Sequence, residues 1–390
     1  MDNFVYQNPT KIIFGKGTIG QIGEQLASYK IHKVLLVYGQ GSIKANGCYD
    51  KVISSLKKSA VEYIEFGGIR SNPTLEKVNE AIIVAMQNSV NGILAIGGGS
   101  VIDSAKAISV GVTYGGNIWD IFESKAEIRN SLPLFTVLTL SATASEMNSG
   151  AVITNEKEKK KWSFTAGEFS APRVSIIDPT VQFSLPAKQT VYGIVDSITH
   201  VLEYYFNGVG GVEIQDQFSE ALVRTIIKHG TVLLDDPVNY ESRAQLAWCS
   251  TMALNGINAI GRFGGDFASH TIEHSISAFY PNVAHAAGLA VIFPNWMKYV
   301  CSTDFEKFAQ FATHVFGLKD DSKKNLAYKG INTLQNFYKS IKAPVTLKEL
   351  GVKLNDIEII AENTVMKGAI GRFVKLEKQD VVNILKSSYN

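Results

Sequence analysis

The chain has 390 residues, 45% of them apolar and 19% charged, with 38 basic against 36 acidic side chains for a formal charge of +2. Its length exceeds the roughly 250–300 residues at which one hydrophobic core stops growing, so two domains are expected, and its composition excludes a disordered chain. The near balance of charge creates no field suited to nucleic acid or a membrane surface, which leaves a small molecule as the expected partner.

Cys48, Cys249 and Cys301 are too widely separated for a structural zinc or disulfide framework and fit a reducing compartment. The first fifteen residues have no basic start followed by an apolar run, and no stretch reaches the ~18 apolar residues of a membrane span. A cytoplasmic protein is therefore expected.

Short β-branched runs at 33–38, 62–66, 92–96 and 134–138 alternate with amphipathic stretches, which predicts a parallel sheet covered on both faces. Tyr38-Gly39-Gln40-Gly41-Ser42-Ile43-Lys44 follows the first run and offers a turn that could approach a nucleotide. It is not the full G-x-G-x-x-G pattern, since Lys44 stands at the third glycine, so a fold related to the standard Rossmann domain is expected. The stretch 93–106 reads as a buried strand, then Gly97-Gly98-Gly99-Ser100, then an immediate helix. Glycines there remove the Cβ atoms that would keep a ligand off the backbone, and the helix start attracts phosphate. A tight strand-to-helix turn would use the same residues, but the preceding apolar strand favours a pyrophosphate loop. Asp103 suits the first helical turn on dipole grounds alone.

Residues 155–161 read as a charged turn between antiparallel strands at 151–154 and 162–165. Beyond Asp178-Pro179 the texture becomes helical, with 3.6-residue periods at 215–234 and 241–259. The expected organisation is an α/β nucleotide-binding domain over 1–182 and an all-α domain over 183–390, with a cleft between them.

Asp196 and His200 are four residues apart, on one face of a predicted helix. His270 and His274 repeat that spacing, and His285 follows a Tyr-Pro-Asn break, in a chain with 7 histidines. An isolated histidine is usually structural. One aspartate with two or three histidines and no cysteine is instead a donor set suited to Fe(II) or Zn(II), with room for a substrate oxygen.

Taken together, Gly97-Gly98-Gly99-Ser100-x2-Asp103-x2-Lys106, Asp196-x3-His200 and His270-x3-His274-x10-His285 resemble the iron-containing (group III) alcohol dehydrogenases, and within them the butanol dehydrogenase and NADPH-dependent aldehyde reductase branch. The resemblance spans nearly the whole chain. It implies an NAD(P)-dependent oxidoreductase of small primary alcohols and aldehydes, usually a homodimer. It implies Asp196, His200, His270 and His285 as ligands of one divalent metal, Fe2+ or Zn2+, and His274 beside the nicotinamide and substrate, relaying a proton or shaping the pocket. It further implies Gly98, Gly99 and Ser100 at the pyrophosphate, Thr139, Thr143, Ser145 and Asn148 along the cofactor, and Asn72 toward the adenosine. Ala142-Thr143-Ala144 and Ala284-His285-Ala286 depart from the family's Gly-Thr-Gly and Pro-His-Gly.

The resemblance also bears on the choice of nucleotide. NAD-using members carry an aspartate where this chain has Gly39, so a 2′-phosphate can sit against Gly39, Gln40 and Ser42, with Lys44 adding positive charge; Lys161 matches a cofactor-contacting lysine of the aldehyde reductase branch. NADP(H) is thus expected over NAD(H). Three rivals are an NAD-linked diol or lactaldehyde dehydrogenase of the same family, a related metal-dependent sugar-phosphate synthase, and a catalytically silent binding module. The synthase needs several cations at a substrate phosphate, and the stretch before His270 offers only Arg262. Trp119, Phe122, Phe263 and Phe267 are candidates to line a substrate pocket.

Overall fold

The computed structural model describes all 390 residues. They form two compact units, one of Gln7–Pro186 with Asp236–Asn255 and the other of Met1–Tyr6, Ala187–Asp235 and Gly256–Asn390.

The first unit contains strands β1 (Lys11–Phe14), β2 (Lys33–Tyr38), β3 (Glu62–Phe66), β4 (Gly92–Gly97), β5 (Leu134–Leu138), β6 (Gly150–Asn155), β7 (Lys160–Thr165) and β8 (Val174–Ile177). Six of them form one sheet in the order β1-β8-β5-β4-β2-β3, parallel throughout, and β6 and β7 form an antiparallel hairpin. Its helices are α1 (Ile22–Ser28), α2 (Ser42–Ala45), α3 (Cys48–Lys58), α4 (Leu75–Gln87), α5 (Gly99–Tyr114) and α6 (Trp119–Phe122). Successive residues of a strand point to opposite faces, and here both faces are core. Leu35, Val37, Ile93 and Ala95 enter one apolar cluster, while Val34, Leu36, Leu94 and Ile96 enter the other, all without solvent exposure. The expected α/β fold with a covered parallel sheet is therefore present.

Strand order places the cofactor loops. From β2 the chain moves outward to β3, then returns to the other side of β2 with β4 and continues through β5. The order reverses between β2 and β4, and in open parallel sheets the crevice at the carboxyl ends of such neighbours is where ligands bind. Both glycine stretches lie at that point, because Tyr38 pairs with Ile96 at the ends of the two strands.

The structure differs from the sequence reading in three places. Asn155, Lys160 and Lys161 belong to the strands of the hairpin, so the turn is confined to 156–159. The pattern does not single out β1 and β8, whose four residues each are too few to display a period. The helix expected over 241–259 is α9 (Tyr240–Ala253), and it packs with the α/β unit, where Thr251 Oγ1 donates to Glu146 Oε1 at 2.6 Å. Helical periodicity reveals an apolar face but not the core that receives it.

The second unit is helical: α7 (Ala187–Tyr205), α8 (Glu213–Asp235), α10 (Ala268–Phe279), α11 (His285–Val300), α12 (Phe305–Phe316), α13 (Lys323–Ser340), α14 (Ile357–Thr364) and α15 (Lys378–Ser387). From Thr190 onward α7 is buried all round, as is α11 from Ala286 to Met297, so these two helices are central to the unit. No helix is long and apolar enough to cross a membrane.

Candidate metal and cofactor sites

In the helical unit, α7 presents Asp196 and His200 one turn apart, α10 presents His270 from its first turn, and α11 begins with His285. Asp196, His270 and His285 bring one donor atom each within 4.8 Å of one another, and His200 lies beside them. Asp196 Oδ1 lies 3.7 Å from His200 Nδ1, 3.9 Å from His270 Nε2 and 3.7 Å from His285 Nε2, and the Nε2 atoms of His200 and His270 are 3.0 Å apart. Donors at about 2.1 Å in a tetrahedron around one ion stand roughly 3.4 Å from each other, so Asp196 Oδ1 with the Nε2 atoms of His270 and His285 fit a single cation, and His200 adjoins them with Nε2 toward His270 and Nδ1 toward Asp196.

Two further observations support that fit. Asp196 Oδ1 is buried and has no hydrogen-bond partner, an arrangement that costs free energy unless a cation compensates it. His270 Nδ1 contacts the carboxylate of Glu203, and His285 Nδ1 contacts that of Glu273. An ionised carboxylate only accepts, so both Nδ1 atoms carry the proton and donate it. Each Nε2 atom is thereby left as the lone-pair donor for the cation. Burial works to lower the His270 pKa, but Glu203, Asp196 and Glu273 together hold it above the ordinary imidazole value, as befits a pocket with surplus negative charge.

Glu203 and Glu273 were not anticipated. Their signal is faint: Glu203 is seven residues after Asp196 and three after His200, and Glu273 is three after His270, spacings shared by many helical glutamates. His274 is half-buried beside this cluster, its ring centroid 5.2 Å from that of His285 and 6.3 Å from that of His270. Glu273, His274 and His285 also bring three donor atoms within 4.8 Å of one another.

In the α/β unit, Gly97 ends β4, Gly98 is extended, and Gly99 and Ser100 open α5. A Cβ at Gly97 would come within 2.4 Å of the Val101 side chain, and one at Gly99 within 2.5 Å of Thr143, so these glycines are also demanded by packing. Thr139 follows β5 and its N–H donates to Gly97 O at 3.0 Å. The segment after it is anchored from within: Ser145 Oγ donates to Asp103 at 2.6 Å, Thr143 Oγ1 accepts from Ser145 N at 3.2 Å, and Asn148 Oδ1 accepts from Lys106 at 2.8 Å. Asp103 also accepts from Val152 N at 3.0 Å, so it ties the start of α5 to the hairpin in addition to complementing the helix dipole.

Gly39 and Gln40 directly follow β2, and Ser42 begins α2. Asn72, in the loop after β3, accepts a hydrogen bond from Lys161 of β7 at 3.0 Å. Lys44 does not stand as a spare cation: its ammonium lies 3.2 Å from Glu65, whose carboxylate also accepts from Tyr38 and Tyr49. The charge expected there for a 2′-phosphate is matched within the protein.

Of the four aromatic candidates, Trp119 and Phe122 are buried, stacked on each other, with Trp119 also stacked on Trp162. Phe263 is 67% exposed. Phe267 alone adjoins the histidine cluster, its ring 5.6 Å from that of His270. Arg262 is fully buried and bound to Asp216 and the Tyr204 carbonyl, which removes the one cation offered to the sugar-phosphate reading.

Comparison with known proteins gives two family matches: residues 9–179 match the model for iron-containing alcohol dehydrogenase, and residues 190–389 that for the C-terminal part of the Fe-containing alcohol dehydrogenase family. The chain is 42% identical over 390 residues to a probable NADH-dependent butanol dehydrogenase of Bacillus subtilis, with all of both chains covered. It is 35% identical over 355 residues to an NADPH-dependent aldehyde reductase of Escherichia coli, covering 90% of each. Among solved structures, an NADH-dependent butanol dehydrogenase A of Thermotoga maritima superposes with a TM-score of 0.97 at 49% identity, covering 100% of this chain and 99% of that one.

Proposed function

Since the chain belongs to the iron-containing alcohol dehydrogenase family, and is accordingly a metal- and nicotinamide-dependent oxidoreductase of alcohols and aldehydes, we propose that Asp196, His200, His270 and His285 hold its one divalent cation, Fe2+ or Zn2+, and that it interconverts small primary alcohols and aldehydes. The observation that carries the ligand assignment is the buried Asp196 Oδ1, without a hydrogen-bond partner and faced by three imidazoles. When bound, the cation supplies Lewis-acid polarisation of the substrate oxygen, while the nicotinamide carries the hydride.

The protein's part is positioning. Asp196 and the imidazoles would hold the cation in a largely buried place, where local electrostatics are strengthened. The Gly98-Gly99-Ser100 turn at the start of α5 receives the pyrophosphate, with Thr139, Thr143, Ser145 and Asn148 shaping the groove through their internal hydrogen bonds. His274 relays a proton between substrate oxygen and solvent. If His274→Ala leaves both the rate and its pH profile unchanged, His274 only shapes the pocket.

NADP(H) is the proposed cofactor, on the ground that the end of β2 carries no carboxylate at Gly39 to repel a 2′-phosphate. A second reading, NAD(H), is favoured by the Bacillus and Thermotoga relatives, which are described as NADH-dependent, and by the engagement of Lys44 with Glu65. Initial rates with a panel of aldehydes and both reduced cofactors, on protein of measured metal content, test the whole assignment. Turnover in metal-free protein, or a catalytic efficiency with NADH equal to or above that with NADPH, refutes the corresponding half. A soluble cytoplasmic homodimer completes the proposal, and its free, buried cysteines accord with a reducing compartment.

A further inference from the structure

We propose that Glu203 and Glu273 are positioning residues that set how tightly the metal is held, each by fixing the ring of a histidine on the next helix of the cluster. The inference rests on the ligand assignment proposed above. Glu203 of α7 contacts Nδ1 of His270 on α10, and Glu273 of α10 contacts Nδ1 of His285 on α11, so one helix orients the donor of the next in two successive steps. Both carboxylates are fully buried. A carboxylate in that place fixes the tautomer, prevents the ring from turning its Nε2 atom away, and raises that atom's basicity.

Each glutamate is itself held. Glu203 Oε1 accepts from the backbone N–H groups of Ser269 and His270 at 3.0 and 3.4 Å, so the same side chain caps the first turn of α10. Glu273 Oε1 accepts from Ser277 one turn along α10. Its path to His285 crosses the face of α11 at Gly288, where a Cβ would come within 2.7 Å of Glu273 Cγ and 3.2 Å of its Oε1. Glycine is a poor residue for a buried helix, and its presence here is explained by the room that Glu273 needs.

This last contact supplies a test that does not depend on one substitution. Zn2+ affinity is measured by chelator competition for the wild type, Glu273→Gln, Gly288→Ala and His285→Ala, alongside thermal unfolding of each metal-free protein. Glu273→Gln keeps the shape and loses the charge. Gly288→Ala keeps the carboxylate and displaces it, while adding a better helix former. Both are expected to weaken Zn2+ binding about ten- to a hundredfold; the metal-free unfolding midpoint should stay near that of the wild type in Glu273→Gln and fall in Gly288→Ala, where the added Cβ crowds Glu273. In the zinc-loaded protein labelled with 15N-histidine, the hydrogen-bonded Nδ1 proton of His285 should shift in both. Wild-type affinity in Glu273→Gln and Gly288→Ala, with metal lost from His285→Ala, overturns this inference and leaves the ligand assignment standing. Lowered midpoints with unchanged affinity of the folded protein overturn it as well, since that is the behaviour of a purely structural contact. Wild-type affinity in His285→Ala overturns both.

Discussion

Lys161 on β7 donates to the side-chain oxygen of Asn72 at 3.0 Å, joining two buried side chains 89 positions apart in the α/β unit. Asn72 takes a left-handed backbone conformation, φ 52°, which the bond helps to hold. Lys161→Met is expected to raise the KM for the nicotinamide cofactor about tenfold or more, as loss of a charge-assisted contact does, with a smaller change in kcat. Initial rates at saturating aldehyde with varied cofactor check this, and an unchanged KM removes Lys161 from the cofactor site.

With the adenosine ribose at the end of β2, as proposed, Gly39 decides between nucleotides. An aspartate there would face the 2′-phosphate of NADPH, and a poorly screened like-charge contact costs on the order of 1 to a few kcal/mol. Gly39→Asp should therefore weaken NADPH roughly ten- to a hundredfold while leaving NADH within a few-fold. Because Lys44 is already matched by Glu65, Lys44→Ala should alter that ratio little. Equal losses for the two cofactors would count against a 2′-phosphate position at Gly39.

Asp196 makes different contributions with and without metal. In the metal-free protein its Oδ1 is a buried acceptor with no hydrogen bond, and its charge is met only by the neighbouring imidazoles, His270 among them. Asp196→Asn is expected to unfold no more easily than the wild type when metal-free, since relief of the unpartnered buried carboxylate offsets the lost attraction to His270. The wild type should in turn gain about 4 kcal/mol at a free metal concentration a thousand times its Kd, a gain the variant largely loses. Chemical denaturation with and without Zn2+ measures both, and a metal-free variant clearly less stable than the wild type would contradict the argument.

Lys106 gives a pH signature. It is fully buried, donating to Asn148 and Gly150 O at 2.8 Å each, and burial pushes its pKa down from 10.5 to about 8 against the pull of Asp103 and Glu146. Between those two values the unfolded chain holds a proton that the folded protein has released, so stability rises with pH across this window. Relative to Lys106→Met, the wild type should gain about 3 kcal/mol between pH 8 and 10.5, since each pKa unit corresponds to about 1.36 kcal/mol. Denaturant titrations of the pair across that range provide the check, and a flat difference refutes the shift.

What the sequence determined by itself is local. Alternation in strands, the 3.6-residue period of helices, the strand-glycine-helix turn at Gly97 to Ser100 and the four-residue spacings Asp196 to His200 and His270 to His274 are all set by neighbours on one element, and each is visible without coordinates. Tertiary structure alone decided what those elements meet. It joined Glu203 to His270 and Glu273 to His285, paired Lys161 with Asn72, matched the charge of Lys44 with Glu65, and assigned α9 to the α/β unit. The physical reason is the same throughout: spacing specifies which face of an element a side chain occupies, whereas the partner on the opposing face comes from a different part of the chain and is selected only when both surfaces are buried together.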